Sequence, residues 1–397
     1  LYQVCQQYDI RMIHSVSNRY FKTGEDVNGA VFLQNWGKMS PDEIFELVCT
    51  IDGKEIGKNS YARGEPGLDP SRKPFEMPIG RKIPEDTPSG EYDMKVAVCS
   101  IMYKAPEYTA GDTIAVKIKI YNHDMGRQKS LVECHQTFDC HNTASIDEDA
   151  LKMIGDGSHY ILLNEHYDDE LECEASKAYL VEDTITGRKT FSFINRWVDE
   201  YVYRDYTTLP SFADIHISAS YDEIQRMLYI KVKGTKNEDF VPVEKWANLT
   251  VLLSEDNVVY PAYNDLTGKW EELYRHNALL RTNVSAIWGD PIDWVGDNYE
   301  MNYQIRLKDD WVKDNMHIIA FISKPYTGEN RKELNLINCN DFSVKDSETV
   351  TSTENVINRY DDDGAAEIYT LQGRKVFSKT SLPGGIYFVN GKKVVIR

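Results

Sequence analysis

Short runs of β-branched and aromatic residues, each closed by a glycine or proline turn, recur along nearly the whole chain and restrict it to sheet-based folds. Val27 to Leu33, Ile44 to Ile51, Tyr92 to Tyr103 and Thr113 to Tyr121 are such runs, punctuated by Asp52-Gly53, Glu65-Pro66-Gly67 and Pro88-Ser89-Gly90. Strands this short and regular predict an immunoglobulin-like β-sandwich over residues 1–124. The same rhythm returns after Pro210. Asp214 to Ser220, Met227 to Lys233, Leu249 to Ser254, Tyr303 to Leu307 and Met316 to Ser323 predict a second β-sandwich over 210–344.

Between the two sandwiches the period changes. Ser130 to His135, Tyr160 to His166 and Thr190 to Asn195 read as strands, with helices expected at Ser145 to Ile154 and Asp168 to Glu182. Strands alternating with helices predict an α/β domain over 125–209. Lys345 to Asp363 has no sustained apolar period and reads as a linker, 345–363, before a short β domain at 364–397. With 397 residues, too many for one ordinary core, the expected class is a multidomain α+β protein.

Charge narrows the function. Sixty-three acidic residues against 45 basic ones give a net charge of −18, a surface that repels phosphate backbones and anionic lipid, so no nucleic acid partner is expected. No run approaches the roughly 18 to 20 apolar residues of a membrane span. Neither an initiator Met nor a signal peptide opens the sequence, and the expectation is a processed, exported form. Cys5 lies near that start, although Gln3-Val4 is a poor match to the small residues that precede a lipidated cysteine.

The central segment is where redox chemistry would reside. A strand that ends in a cysteine motif and feeds a helix is the thioredoxin arrangement, which needs two thiols three positions apart: one activated at the helix start, one to resolve the mixed disulfide. Here Cys140 takes the attacking position and Thr143 stands where the resolving thiol belongs. The proline expected before the third strand is absent from Gly187 to Arg196. Both losses point to a degenerate motif, with Cys134 as the other thiol near Cys140. Cys134-His135 and Cys140-His141 also suggest a metal, but paired zinc ligands usually stand two to four residues apart, so neither metal nor cofactor is expected. A Cys134–Cys140 disulfide and unbridged thiols both remain open. Cys49 and Cys99 sit inside apolar runs and are expected to be buried thiols.

A second polar and aromatic cluster comprises His276, Arg281, Trp288, Asp290 and Trp294. An exposed indole beside carboxylates is what a glycan or peptide site requires. A buried Trp with an Arg–Asp tie across a long loop uses the same residues structurally, and that reading is preferred. No phosphate loop, His-Glu-x-x-His helix or Gly-x-Ser-x-Gly elbow occurs.

Two stretches resemble known families. Leu371, Gly373, Arg374, Val376, Gly385, Ile386, Tyr387 and Lys393 to Ile396 resemble the C-terminal sorting domain of the type IX secretion system of Bacteroidota, which implies secretion machinery as the partner of 364–397. Val132-Glu133, Ile194-Asn195-Arg196, Ala213-Asp214-Ile215, Leu252 to Asp256, Tyr274 to Asn277 and Trp288-Gly289-Asp290 resemble the Omp-twenty-eight-related family of Bacteroidota outer-membrane proteins. That resemblance implies a degenerate thioredoxin-like domain followed by a β-sandwich. The expectation is an exported, non-enzymatic binding or structural protein at the cell surface or outer membrane, with periplasm or secretion as the alternative address. A thiol-disulfide or chaperone-like domain and a glycan- or peptide-binding module are the competing functions.

Overall fold

The computed structural model describes residues 10–17, 20–27, 29–36, 44–62, 75–101, 113–136, 152, 155, 157–179, 191–194, 209–328, 335–350, 368–370, 375–376, 385–389 and 392–396. Cys5, Cys140, Thr143 and the segment Gly187 to Thr190 lie outside them, as does the helix expected at 145–154 apart from Lys152.

The first ten strands form a sandwich. They are β1 (Ile10–Ser17), β2 (Tyr20–Lys22), β3 (Asp26–Val27), β4 (Gly29–Asn35), β5 (Ile44–Ile51), β6 (Lys54–Ala62), β7 (Phe75–Pro78), β8 (Arg81–Lys82), β9 (Gly90–Ile101) and β10 (Thr113–Tyr121). One sheet runs β1-β4-β7 and the other β2-β10-β9-β5-β6, while β3 pairs with β8. Alternation along each strand sends Val31 and Leu33 from one sheet, and Leu47, Cys49, Met94, Val96, Ile118 and Ile120 from the other, into one core.

The middle of the chain departs from the two-domain expectation. Its strands are β11 (Ser130–Gln136), β12 (Tyr160–His166), β13 (Phe191–Ile194), β14 (His216–Asp222), β15 (Met227–Thr235), β16 (Asn248–Glu255), β17 (Val258–Val259), β18 (Ala262–Asn264), β19 (Lys269–Glu271), β20 (Arg275–His276), β21 (Leu279–Asn283), β22 (Asp290–Pro291), β23 (Asn298–Arg306), β24 (Met316–Ser323), β25 (Leu336–Ser343) and β26 (Glu348–Val350). Helix α1 spans Glu174–Tyr179 and α2 spans Phe240–Glu244. One mixed sheet runs β13-β11-β12-β21-β16-β24-β25, so strands from both sides of residue 210 share it. The join is the parallel pairing of Asn164 with Leu279, reinforced by Asn164 N donating to Ala278 O and Asn164 Nδ2 to Asn277 O, both at 2.8 Å. The far flank returns to the first strand: Lys129 bridges Cys339, and Lys129 Nζ lies 2.5 Å from Asp341 Oδ1.

This sheet is apolar on both faces. Leu249, Val251, Leu253, Ile318, Ala320 and Ile322 pack against Leu228, Ile230 and Val232 of a second sheet, ordered β23-β15-β14-β26. The opposite face, through Leu252, Ile319 and Phe321, meets Leu131, Ile161 and Leu163 together with Ala175 and Tyr179 of α1. Part of the expected linker belongs to this body, because β26 adds in parallel to β14 through Ser220–Glu348. Helix α1 starts later than the apolar spacing suggests: Asp168 adopts φ 56°, and the chain turns before Ser176 Oγ accepts from Cys173 N at 3.0 Å.

The first sandwich is clamped to this body. Lys119 and Glu244 form an ion pair with side chains only 8% and 2% exposed, and Tyr20 Oη donates to Glu244 Oε1 at 2.8 Å. Asp239 Oδ2 accepts from the amides of Asn122 and His123 at 2.9 and 2.5 Å, and Phe212 packs against Tyr20 and Tyr121. The tail forms a separate sheet, β28-β27-β29-β30, from β27 (Ile368–Thr370), β28 (Lys375–Val376), β29 (Gly385–Val389) and β30 (Lys392–Ile396).

Candidate functional site

The polar residues buried in β11 and β12 sort by strand alternation. Their parallel register sets Cys134 beside Asn164, His135 beside Glu165 and Gln136 beside His166. His135 Nδ1 lies 3.1 Å from Glu165 Oε2, both side chains fully buried. Cys134, fully buried, clusters with Val132 and Leu162 rather than with Leu131 and Ile161. His166 Nδ1 meets Asp169 Oδ2 at 2.8 Å, and its ring packs edge-on against His276 at 4.9 Å.

His276 is thus an interior residue of the β17–β20 ribbon, 2% exposed. Burial, and then the neighbouring His166, lower its pKa to about 4, so it is a neutral ring at ordinary pH. Among the described residues no three His, Cys, Asp or Glu side chains converge as a metal site. Of the described thiols Cys49, Cys134 and Cys339 are buried, whereas Cys99, expected inside the core, and Cys173 are partly exposed. Burial pushes Cys49 up to about 11 and holds Cys339 higher still, where its Sγ donates to Lys129 O at 3.2 Å.

The two tryptophans of the expected cluster separate. Trp288 packs with Tyr179 and Tyr326 on the α1 side, at ring distances of 5.2 and 4.3 Å. Trp294 packs with Phe240 and Tyr299 against the other core, with Lys236 Nζ 4.8 Å from its ring centre. Asp290 pairs in β22 with Leu249 and holds the Tyr303 hydroxyl protonated beyond its usual range, after burial. Both indoles are half-buried, on opposite faces of the long sheet, and do not make one platform.

Arg281 opens onto a different feature, a groove of about 660 Å³ lined by residues 170–174, 255, 257–260, 280–282, 308 and 310–312. Arg281 Nε lies 3.0 Å from Glu255 Oε2, its outer nitrogen 3.3 Å from Asp310 Oδ2, and its guanidinium 5.4 Å from the Trp311 ring centre. Burial raises the Glu255 pKa, opposed by the Val312 N–H at 2.8 Å and by Arg281. Arrays of this kind fix a cation in place while leaving its rim open to a ligand. Sequence marks Glu255 only within the Leu252 to Asp256 family stretch, and does not mark Lys308, Asp310 or Trp311. Their signal was a charge at the end of an apolar strand, Leu252-Leu253-Ser254-Glu255, and the polar run Lys308-Asp309-Asp310 leading into Trp311.

Residues 210–346 match the family model for outer membrane protein Omp28. Among solved structures, HBP35 of Porphyromonas gingivalis is similar at 16% identity and TM-score 0.46, over 69% of this chain and 100% of that one. A domain of the outer membrane lipoprotein Omp28 from Porphyromonas gingivalis aligns at 17% identity and TM-score 0.25, over 38% and 99%. The CARDB domain of PF1109 from Pyrococcus furiosus, solved with di-metal ions, aligns at 10% identity and TM-score 0.23, over 30% and 92%. No curated protein matches the chain. Residues 210–346, which carry β14 to β25 and the Arg281 side of the groove, are thus what the Omp28 family model matches in this chain.

Proposed function

We propose that this chain is an exported, non-enzymatic binding or structural protein held at the outer membrane or cell surface. The observation that carries this reading is the Omp28 match over 210–346. The construction agrees with it. An immunoglobulin-like sandwich is clamped through buried charge to a body in which a degenerate thioredoxin-like layer, β11 to β13, has been absorbed into the sheet of a second sandwich. Residues 364–397 then serve as a type IX sorting unit that hands the chain to secretion machinery. The absence of a second thiol at Thr143 and the shielding of Cys49 and Cys339 both support a non-catalytic role.

The test has two arms. In a type IX-competent host, the full chain should be cleaved by protease added outside intact cells, and a reporter fused to 364–397 should reach the surface. The purified chain should not accelerate reduction of insulin by dithiothreitol; catalysis abolished by Cys140→Ser would establish the thiol-disulfide reading instead. A ligand-binding role is favoured by the groove at Arg281. The loop carrying Trp288, Asp290 and Trp294 is the competing glycan site, and a glycan array that responds to Trp288→Ala or Trp294→Ala would select it.

A further inference from the structure

One wall of the Arg281 groove is a strand with an unused edge. β17 pairs with β20 through Val258–His276 and Val259–Arg275, and Tyr260 N donates to Tyr274 O at 3.1 Å. Antiparallel pairing alternates, so with Tyr260 directed at β20 the main-chain N–H and C=O of Val259 point the other way. Among the described residues β17 has no second strand neighbour. Val259, 46% exposed, and Val312, 52% exposed, both line the groove and leave apolar surface open beside that edge.

The charge around the edge is predominantly acidic. Glu170, Glu172, Glu174, Glu255 and Asp310 line the groove against Arg281 and Lys308, and Arg281 is already engaged by Glu255 and Asp310. A phosphorylated or nucleic acid ligand meets repulsion there. A sugar would want a bare aromatic face, yet Trp311 is 4% exposed, with Arg281 and Lys308 within 5.4 Å of its ring centre. An unpaired strand edge is instead a device for holding extended polypeptide, in which main-chain bonds supply affinity and alternate side chains supply selectivity.

Deepening the binding role proposed above, on which it rests, we infer that this groove captures an extended polypeptide segment by strand addition to β17. The segment carries apolar residues toward Val259 and Val312 and lysine or arginine at the alternate positions, facing the carboxylate rim.

Fluorescence anisotropy of fluorescein-(Lys-Val)₄-amide with the full chain tests this, with fluorescein-(Glu-Val)₄-amide as the counter-probe. The basic peptide should bind saturably and the acidic one should not. Val259→Pro removes the outward N–H together with the Val259 isopropyl, a change an edge strand tolerates, and should weaken binding at least tenfold with an unchanged melting curve, well beyond the loss in Val259→Ala, which removes the isopropyl alone. Combined Glu170→Gln, Glu172→Gln and Asp310→Asn should weaken it at least fivefold and flatten its salt dependence. Bound peptide should also slow alkylation of Cys173, which lines the groove, as read by mass spectrometry. Absence of binding at millimolar peptide, equal binding of both probes, or affinity unchanged in Val259→Pro would each overturn the inference. Surface exposure and insulin reduction do not involve this peptide, so failure here leaves the broader reading standing on its own tests.

Discussion

Replacing Lys119 with Met should loosen the joint between the first sandwich and the body. The lysine and Glu244 are 8% and 2% exposed, so the change strands a carboxylate in a dry site with the Tyr20 hydroxyl still donating to it. Breaking one half of a buried pair typically costs about 3 to 5 kcal/mol, whereas replacing both halves is often near neutral. With the 2.8 Å bond from Tyr20 retained, the lower end, about 3 kcal/mol, is the expectation. The amides of Asn122 and His123 donate to Asp239 at the same joint and report its opening directly. Their hydrogen exchange should accelerate on the order of 100-fold in Lys119→Met, since 1.4 kcal/mol is a factor of ten. Adding Glu244→Gln keeps an acceptor for Tyr20 and should restore most of the protection. Unchanged exchange in the single variant, or equal loss in the double, would refute the claim that a desolvated pair holds the joint.

Three further outcomes are expected. His276 titrates at about 4 when folded and near 6.5 when unfolded, so its stabilisation is present above pH 6.5 and is lost as pH falls toward 4. The loss is on the order of 3 kcal/mol, and His276→Phe should flatten that part of a urea-midpoint profile measured against pH. Gly234→Ala would place a Cβ 2.1 Å from Asp214 O and 2.8 Å from the Tyr299 ring, and should destabilise the body by about 3 kcal/mol in urea titration. Deleting 364–397 should leave the calorimetric transition of the body nearly unchanged, because the tail strands pair only with one another among the described residues.

Sequence pattern revealed the strands better than their partners. Thr113 to Tyr121, Tyr160 to His166 and Met316 to Ser323 carry their boundaries in local composition, and the folded strands begin and end there. Nothing local announces that Asn164 will lie beside Leu279, because a single parallel pairing across more than a hundred residues leaves no period to read. The β17–β20 ribbon was missed for a related reason: its strands are two or three residues long and sit among Tyr260, Asn264 and Gly268, where no alternation can develop. Trp288 and Trp294 look adjacent in sequence, yet the Asp290–Pro291 strand between them carries the chain from one face of the sheet to the other. The groove drew on residues from four distant segments, and of these sequence inspection had marked Arg281.

If the chain is exported as proposed, the bridge between Lys129 and Cys339 bears on its passage through a pore. A chain emerging from a pore amino end first can complete its first sandwich once Tyr121 is outside. The next unit cannot close until a partner 210 positions later arrives. For most of its passage the stretch from β11 onward must stay unclosed, its apolar faces awaiting a flank still inside the conduit. Any translocation system serving this protein therefore faces one of two demands: to shelter more than two hundred loose residues as they thread through, or to open wide enough to pass the finished body whole.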